Sequence, residues 1–408
     1  MANITKLYDT PPYQEQDSDS KDYKKKLLRH RAGKGAKYLI GAVVVLCGCL
    51  VFNVWSRNKT YTTYETAATV EHSSTVNTLY TEYNGKLLKY SRDGISCIGS
   101  NNEAIWSQTY NMQNPMVDIC QSAVAVADQQ GNTVYVFDAQ GAVTEISTLL
   151  PIQQISVSAQ GVTAILLNDS TVSWIYLYDK EGNKLAESRC SLDETGQPIS
   201  IGISPDGAKL AVSYLQVQEG AAASCVVFYN FGSVGSNFVD KIVSSKVYAD
   251  TVIPRVKYIG KSTCAAISDQ SIIYYEGAEI PEEKNTVTVD SKIESIFWGD
   301  GRIGIVTLGD DTIEEAEEET GRYQVDLYDA SGRQILFRKT DLEYSQVKLS
   351  GKYLILYNEN ECEIYSEKGV LKYKGSFDSV IADLYKGNGR NKFVLEFSDR
   401  TEAIPLRK

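Results

Sequence analysis

The sequence predicts an all-β fold: a β-propeller of eight blades, with seven as the alternative, preceded by one transmembrane α-helix and a disordered N-terminal tail. Three observations predict it. A strand–turn–strand pattern recurs about every 44 residues, no helical periodicity of useful length occurs beyond residue 56, and one isolated apolar run precedes the repeats.

The repeat unit is an alternating, β-branched strand, a turn, and a second strand ending in an aromatic residue followed by Asp-x-x-Gly. Its best copies are TVYVFDAQG (Thr133 to Gly141), WIYLYDKEG (Trp174 to Gly182) and QVDLYDASG (Gln324 to Gly332). Weaker copies are SCVVFYNFG (Ser224 to Gly232), SIIYYEGAE (Ser271 to Glu279) and ECEIYSEKG (Glu361 to Gly369). Period-2 alternation buries one face of a strand, and Asp and Gly supply a local side-chain hydrogen bond and a positive-φ residue where the chain reverses. Asp138, Asp179 and Asp329, with Gly141, Gly182 and Gly332, therefore read as turn punctuation. GKLLKYSRDGISCIGS (Gly85 to Ser100) parallels GKYLILYNENECEIYS (Gly351 to Ser366), and NKFVLEFSDRTEAIPL (Asn391 to Leu406) is a last copy with no strand after it.

Taking Ser100, Asp138, Asp179, Asn230, Glu276, Asp329, Ser366 and Pro405 as equivalent points gives spacings of 38, 41, 51, 46, 53, 37 and 39. An all-strand period of ~40 to 50 residues is that of propeller blades, which close into a ring to remove their edges. The C-terminal copy lacks an outer strand, and YTTYETAATV (Tyr61 to Val70) is a β-prone segment without another assignment. It is expected to complete the last blade. A β-sandwich or a pair of small β-domains is the competing architecture, and regular spacing argues against it.

Three regions follow: a basic cytoplasmic tail (1–37), a transmembrane helix (38–55) and an extracytoplasmic propeller (56–408). YLIGAVVVLCGCLVFNVW, from Tyr38 to Trp55, holds no charge, and Asn53 is its one strongly polar side chain. As a helix it spans ~27 Å, close to the hydrocarbon thickness of a bilayer. Tyr38 and Trp55 bracket it as interfacial aromatics. Lys21, Lys24, Lys25, Lys26, Arg29, Arg31, Lys34 and Lys37 precede the run, and only Arg57 and Lys59 follow closely, which predicts a cytoplasmic N-terminus and a single-pass anchor. A lipobox-like Leu46-Cys47-Gly48-Cys49 lies within the run, but the leader is long and the apolar stretch continues past Cys49. The tail itself, with Pro11-Pro12 and QEQDSDS, has no hydrophobic periodicity and is predicted disordered.

Charge narrows the partners. Residues 1–55 carry nine Lys/Arg against five Asp/Glu, leaving 32 basic and 47 acidic residues for the rest of a chain whose net charge is −11. An acidic domain repels phosphate backbones, so no nucleic-acid partner is expected. The acidic run DDTIEEAEEET (Asp310 to Thr320) lacks the alternating ligands and central Gly of a Ca²⁺ loop and reads as a solvated insertion between two strands.

Catalytic chemistry is sparse. The two histidines are His30, in the tail, and His72, just after the anchor, so the repeats are read as His-free, without a Ser-His-Asp or Cys-His site or a His-ligated metal. No phosphate loop or dinucleotide-binding Gly motif occurs. No catalytic, cofactor-binding or metal-binding residue is assigned, and no cofactor is expected. Cys97, Cys120, Cys190, Cys225, Cys264 and Cys362 form no CxxC pair; up to three disulfides are open to them, and buried free thiols are the simpler reading.

With anchor and repeats in view, the chain resembles an uncharacterised family of single-pass membrane proteins with propeller ectodomains from Gram-positive anaerobes. Ser204-Pro205-Asp206-Gly207, followed by AKLAVSY, also resembles the turn-and-strand unit of WD40-like and TolB-like propellers, with Tyr/Phe-Asp in place of the WD40 Trp-Asp ending. The strand-Asp-x-x-Gly texture is similar to that of quinoprotein-type propellers, whose cofactor-binding residues have no counterpart here. The function expected is an interaction scaffold or ligand sensor at the cell envelope, with an envelope protein or cell-wall polymer as partner. The alternative is a carbohydrate-active hydrolase or lyase using carboxylates on a propeller face, and two converging carboxylates in the funnel would favour it.

Overall fold

The computed structural model describes residues 41–49, 51–52, 58–72, 78–99, 103–169, 172–191, 195–218, 220–309 and 321–408. Thr60–Lys408 forms one compact unit. Within it the described strands form eight antiparallel sheets, seven of four strands and one of five, each a blade of an eight-bladed propeller. Blade 1 comprises Leu79–Tyr83, Lys86–Tyr90, Gly94–Ile98 and Ala104–Thr109, ordered from the first strand to the fourth. Blades 2 to 7 follow at 115–147, 152–191, 197–249, 255–288, 293–340 and 346–376.

Blade 8 is built from both ends of the unit. Asp383–Lys386, Lys392–Glu396 and Arg400–Arg407 supply three strands, and Thr63–Tyr64 and Ala68–Glu71 both pair with Arg400–Arg407 as the outer strand. The register runs Thr63↔Arg407, Ala68↔Ala403 and Glu71↔Arg400. The segment after the apolar run thus completes the last blade, and the blade count is eight.

The burial pattern departs from simple alternation. Ala123 to Ala127, in the second strand of blade 2, are all buried, whereas the outer Lys184–Ser191 of blade 3 is mostly exposed or half-buried. Each blade is sandwiched between two neighbours, so a second strand buries both faces, while third strands such as Val172–Tyr178 keep an alternating pattern. Consequently the core is divided among the seams. Among the described residues there are seven apolar clusters, each shared by two consecutive blades; one joins Leu166 and Ile175 of blade 3 to Val212 and Val227 of blade 4.

The Asp-x-x-Gly turns join the third and fourth strands. The carboxylate of Asp138 accepts hydrogen bonds from the N–H groups of Gln140 and Ala142 (2.9 and 2.8 Å) and Gly141 N–H closes onto Asp138 O at 3.0 Å. Asp179 and Asp329 repeat this arrangement with Gly182 and Gly332, and the three glycines have φ of 82°, 86° and 79°. Each turn also packs on the outer strand of the preceding blade: the Thr144 hydroxyl donates to Lys180 O (2.7 Å) and the Asn285 amide to Ser331 O (3.0 Å). Asp-x-x-Gly is therefore a blade-to-blade clasp as well as a hairpin.

Helical backbone occurs at 41–49 and 51–52. Among the described residues no helix is long and apolar enough to cross a membrane. Tyr38, Trp55, Lys24, Lys25, Lys26, Arg29, Arg31, Lys34 and Lys37 lie outside the described residues, as does the acidic run 310–320, which joins the second and third strands of blade 6.

Candidate functional site

First strands line the central channel, and all start from the same end of the propeller, here the entry face. The Asp-x-x-Gly turns and Ser204 to Gly207 lie at the opposite, exit face, and so does the start of the domain, where Tyr61 N–H reaches Lys372 O at 2.8 Å and the Thr60 hydroxyl reaches Leu371 O at 3.0 Å.

A cavity of about 420 Å³ opens on the entry face across blades 2 to 5. Its lining includes the carboxamides of Gln129, Gln153, Gln154, Asn168 and Gln197, together with Arg255, and contains no acidic and no aromatic residue. First strands bring Gln153, Gln154, Gln197 and Arg255 to the mouth because each stands at or next to the start of its strand. Gln154 is engaged at both ends with the backbone of Ile201, its Nε2 donating to the carbonyl (3.3 Å) and its Oε1 accepting from the N–H (3.0 Å). Gln197 Nε2 donates to the Ser173 hydroxyl at 2.9 Å, which itself donates to Asn168 Oδ1. Arg255 is exposed and makes a cation–π contact with Trp298, its guanidinium carbon 5.8 Å from the ring centroid. Lys257 shares that ring at 5.1 Å and pairs with Asp118 at 3.0 Å, joining the first strands of blades 5 and 2.

Deeper charge gathers where blades 7, 8 and 1 meet. The Lys348 ammonium bonds Asp383 and lies 3.8 Å from Glu82 Oε1. Asp383 also accepts from the Tyr357 hydroxyl and the Leu384 N–H, both at 2.8 Å. Burial pushes the Glu82 carboxyl above its usual range, against the pull of Lys348. Two carboxylates therefore do converge in the channel, but the ammonium stands between them, where a glycosidic bond would have to lie.

Among the described residues the seam between blades 8 and 1 has no apolar cluster of the kind found at the seven others, and on its blade 8 side stands a polar group within reach of the Lys89 charge from blade 1. Glu396 accepts from the Thr401 hydroxyl at 2.7 Å and from the Tyr385 hydroxyl at 3.4 Å, and His72 Nε2 lies 3.4 Å from the same carboxylate and 3.0 Å from Thr401 Oγ1. Burial drives the Glu396 carboxyl up to about 7, with Asp383 nearby adding to the rise and Lys89 opposing it. The expectation that the repeats contain no histidine is corrected: closure of blade 8 by the N-terminal strand carries His72 into the propeller. It does not make a catalytic triad, because one ring nitrogen faces both partners and the Thr401 hydroxyl donates to the carboxylate rather than to the imidazole.

The six repeat-domain cysteines stand in six different blades, all as free thiols, with Cys120 half-buried and the others buried. The disulfides left open by the sequence are not formed. Asp138, Gly141, Asp179, Gly182, Asp329 and Gly332 sit at the exit-face turns, away from the cavity. Sequence reasoning missed Gln153, Gln197, Arg255 and Trp298. For Gln153, Gln197 and Arg255 the one signal is a polar or charged residue at or next to the start of a first strand, as in QPISIGI and RVKY; Trp298, near the end of its strand, has none.

Residues 57–406 match the family of unknown function DUF5711. No curated protein matches the chain. In fold it is similar to Saccharomyces cerevisiae Sqt1 at 12% identity and a TM-score of 0.52, over 86% of this chain and 100% of that one. It is also similar to a eukaryotic initiation factor (11% identity, TM-score 0.50, 80% and 82% covered) and to Porphyromonas gingivalis dipeptidyl peptidase 4 (13%, 0.50, 79% and 56%). At such identities the likeness is one of fold alone.

Proposed function

This chain belongs to the DUF5711 family of unknown function, and we propose that its WD40-like propeller serves as an interaction scaffold or ligand sensor, held at the cell membrane by residues 38–55 with its C-terminal domain outside the cell. The observation that carries the binding role is the entry-face cavity, concave, rich in carboxamides and lying at the far end of the domain from Thr60. Concave sites with a few convergent polar groups are the usual places of ligand recognition. The uncharged run from Tyr38 to Trp55 and the basic cluster before it support the anchor and its orientation. The partner in this reading is an envelope protein or a cell-wall polymer. No observation favours the hydrolase, since Lys348 fills the gap between Glu82 and Asp383.

Two experiments test the reading. A photo-crosslinking residue placed at Gln129, exposed at the cavity, in the full-length protein in cells should give a discrete adduct, and the same residue at Lys180 on the exit face should not; equal or absent adducts at both positions would overturn the scaffold. Protease added to wall-stripped cells should degrade everything beyond about residue 60, and protection of the domain would reverse the orientation.

A further inference from the structure

We infer that the entry-face cavity binds an extended peptide that presents a carboxylate to Arg255. The inference deepens the scaffold reading and rests on it for the location of the site.

Unpaired polar groups define the ligand. Among the described residues the Gln153 carboxamide, the Gln197 carbonyl oxygen, the Asn168 amide nitrogen and the Arg255 guanidinium have no hydrogen-bond or ion-pair partner in the protein, yet all four residues line one cavity. A carboxamide carries the same donor and acceptor as a peptide unit and pairs with one at two points. The molecule already shows this pairing beside the cavity, where Gln154 holds both the N–H and the C=O of Ile201. Gln153 stands ready to do the same for a strand that is not part of the chain, and the Gln197 carbonyl oxygen to accept from it.

The choice of peptide over polysaccharide follows from what the lining lacks. A sugar ring offers an apolar C–H face that packs on aromatic rings, and the cavity wall contains no aromatic residue; its apolar members include Met116, Leu166, Pro198 and Ile199. A volume of about 420 Å³ holds a short segment rather than a folded element.

Arg255 sets the charge. Its guanidinium carbon lies 5.8 Å from the Trp298 ring centroid, a cation–π distance, and its N–H groups have no partner among the described residues, so they can grip a carboxylate with two parallel hydrogen bonds. No acidic side chain lines the cavity, and the nearby Asp118 is already held by Lys257.

The test uses the full-length protein, immobilised, and random-sequence hexapeptide libraries of three kinds: free C-terminal carboxylate without Asp or Glu, amidated with Asp and Glu, and amidated without either. Retention of one or both carboxylate-bearing libraries is expected, the first arm marking a chain terminus and the second an acidic side chain, and the carboxylate-free library should be retained at least tenfold less. Arg255→Gln should abolish the difference, Arg255→Lys should keep part of it, and the pair Gln153→Ala and Gln197→Ala should lower retention of every library. Equal retention of all three libraries, no retention by the wild-type protein, or indifference to Arg255→Gln would overturn the inference. Gln129 adducts in cells combined with no library retention would leave the scaffold standing and remove the peptide ligand. Absence of both would remove the scaffold.

Discussion

Lys257 Nζ lies 3.0 Å from Asp118 Oδ1, although the two residues stand on the first strands of blades 5 and 2, with two blades between them in the ring. The pair is a chord of the channel. It links quarters of the propeller that share no apolar cluster. The other oxygen of Asp118 accepts the Val157 N–H at 2.8 Å, so the carboxylate also ties blade 2 to blade 3.

Asp118→Ala is therefore expected to be worse than Lys257→Met. The first leaves a part-buried N–H without a partner and the Lys257 ammonium with the Trp298 ring alone, at about 2–3 kcal/mol, while the second removes one partner of a partly solvated pair and costs about 1 kcal/mol. Denaturant titration of the two variants measures the order. Equal losses would mean that the bond to Val157 contributes nothing.

The turn glycines rank by what their missing Cβ would strike. At Gly141 it would lie 2.4 Å from Cγ of Trp106, a ring stacked on Phe137 with centroids 4.7 Å apart; at Gly182 it would lie 3.1 Å from the Thr144 methyl, which can yield. Both positions have φ above 80°. Gly182→Ala should cost about 1–2 kcal/mol from backbone strain alone, and Gly141→Ala clearly more because strain and overlap add. Thermal melts of both variants check the ranking.

Glu396 should give the ring seam a pH dependence. Its folded pKa of about 7 stands above its ordinary 4.5, so the native state binds the proton more tightly than the unfolded chain. The stability it contributes is full below about pH 4.5 and is lost as pH rises to about 7. Glu82, also raised by burial, acts in the same direction, whereas His72, lowered mainly by burial, costs stability as pH falls below its ordinary 6.5. Glu396→Gln isolates the first effect: it should raise the melting temperature at pH 8 and change it little at pH 5. A uniform shift at both pH values would refute the assignment.

Ring closure by the N-terminal strand is testable by removing its donors. Glu65 N–H bonds Pro405 O at 3.2 Å and Ala67 N–H bonds Ala403 O at 2.9 Å. The double variant Glu65→Pro, Ala67→Pro deletes both bonds, for a loss of about 2 kcal/mol and a melting temperature lowered by several degrees. An unchanged melt would show that this strand adds nothing to the ring.

How far the sequence alone reached depended on the range of the interactions involved. Period-2 alternation and the aromatic-Asp-x-x-Gly turns are local: Asp138 bonds residues two and four positions on, and Gly141 supplies its own φ, so the repeats and their spacing could be read directly, with eight blades favoured over seven. Even the closing strand was legible, because the last repeat was visibly one strand short. Tertiary structure alone decided what meets across blades. Gln153, Gln197 and Arg255 are scattered over a hundred residues and share a cavity only because first strands start from one face; His72 left its apparent place beside the apolar run and entered the seam; Lys348 stepped between Glu82 and Asp383. Such neighbours are set by ring closure, which no local spacing encodes.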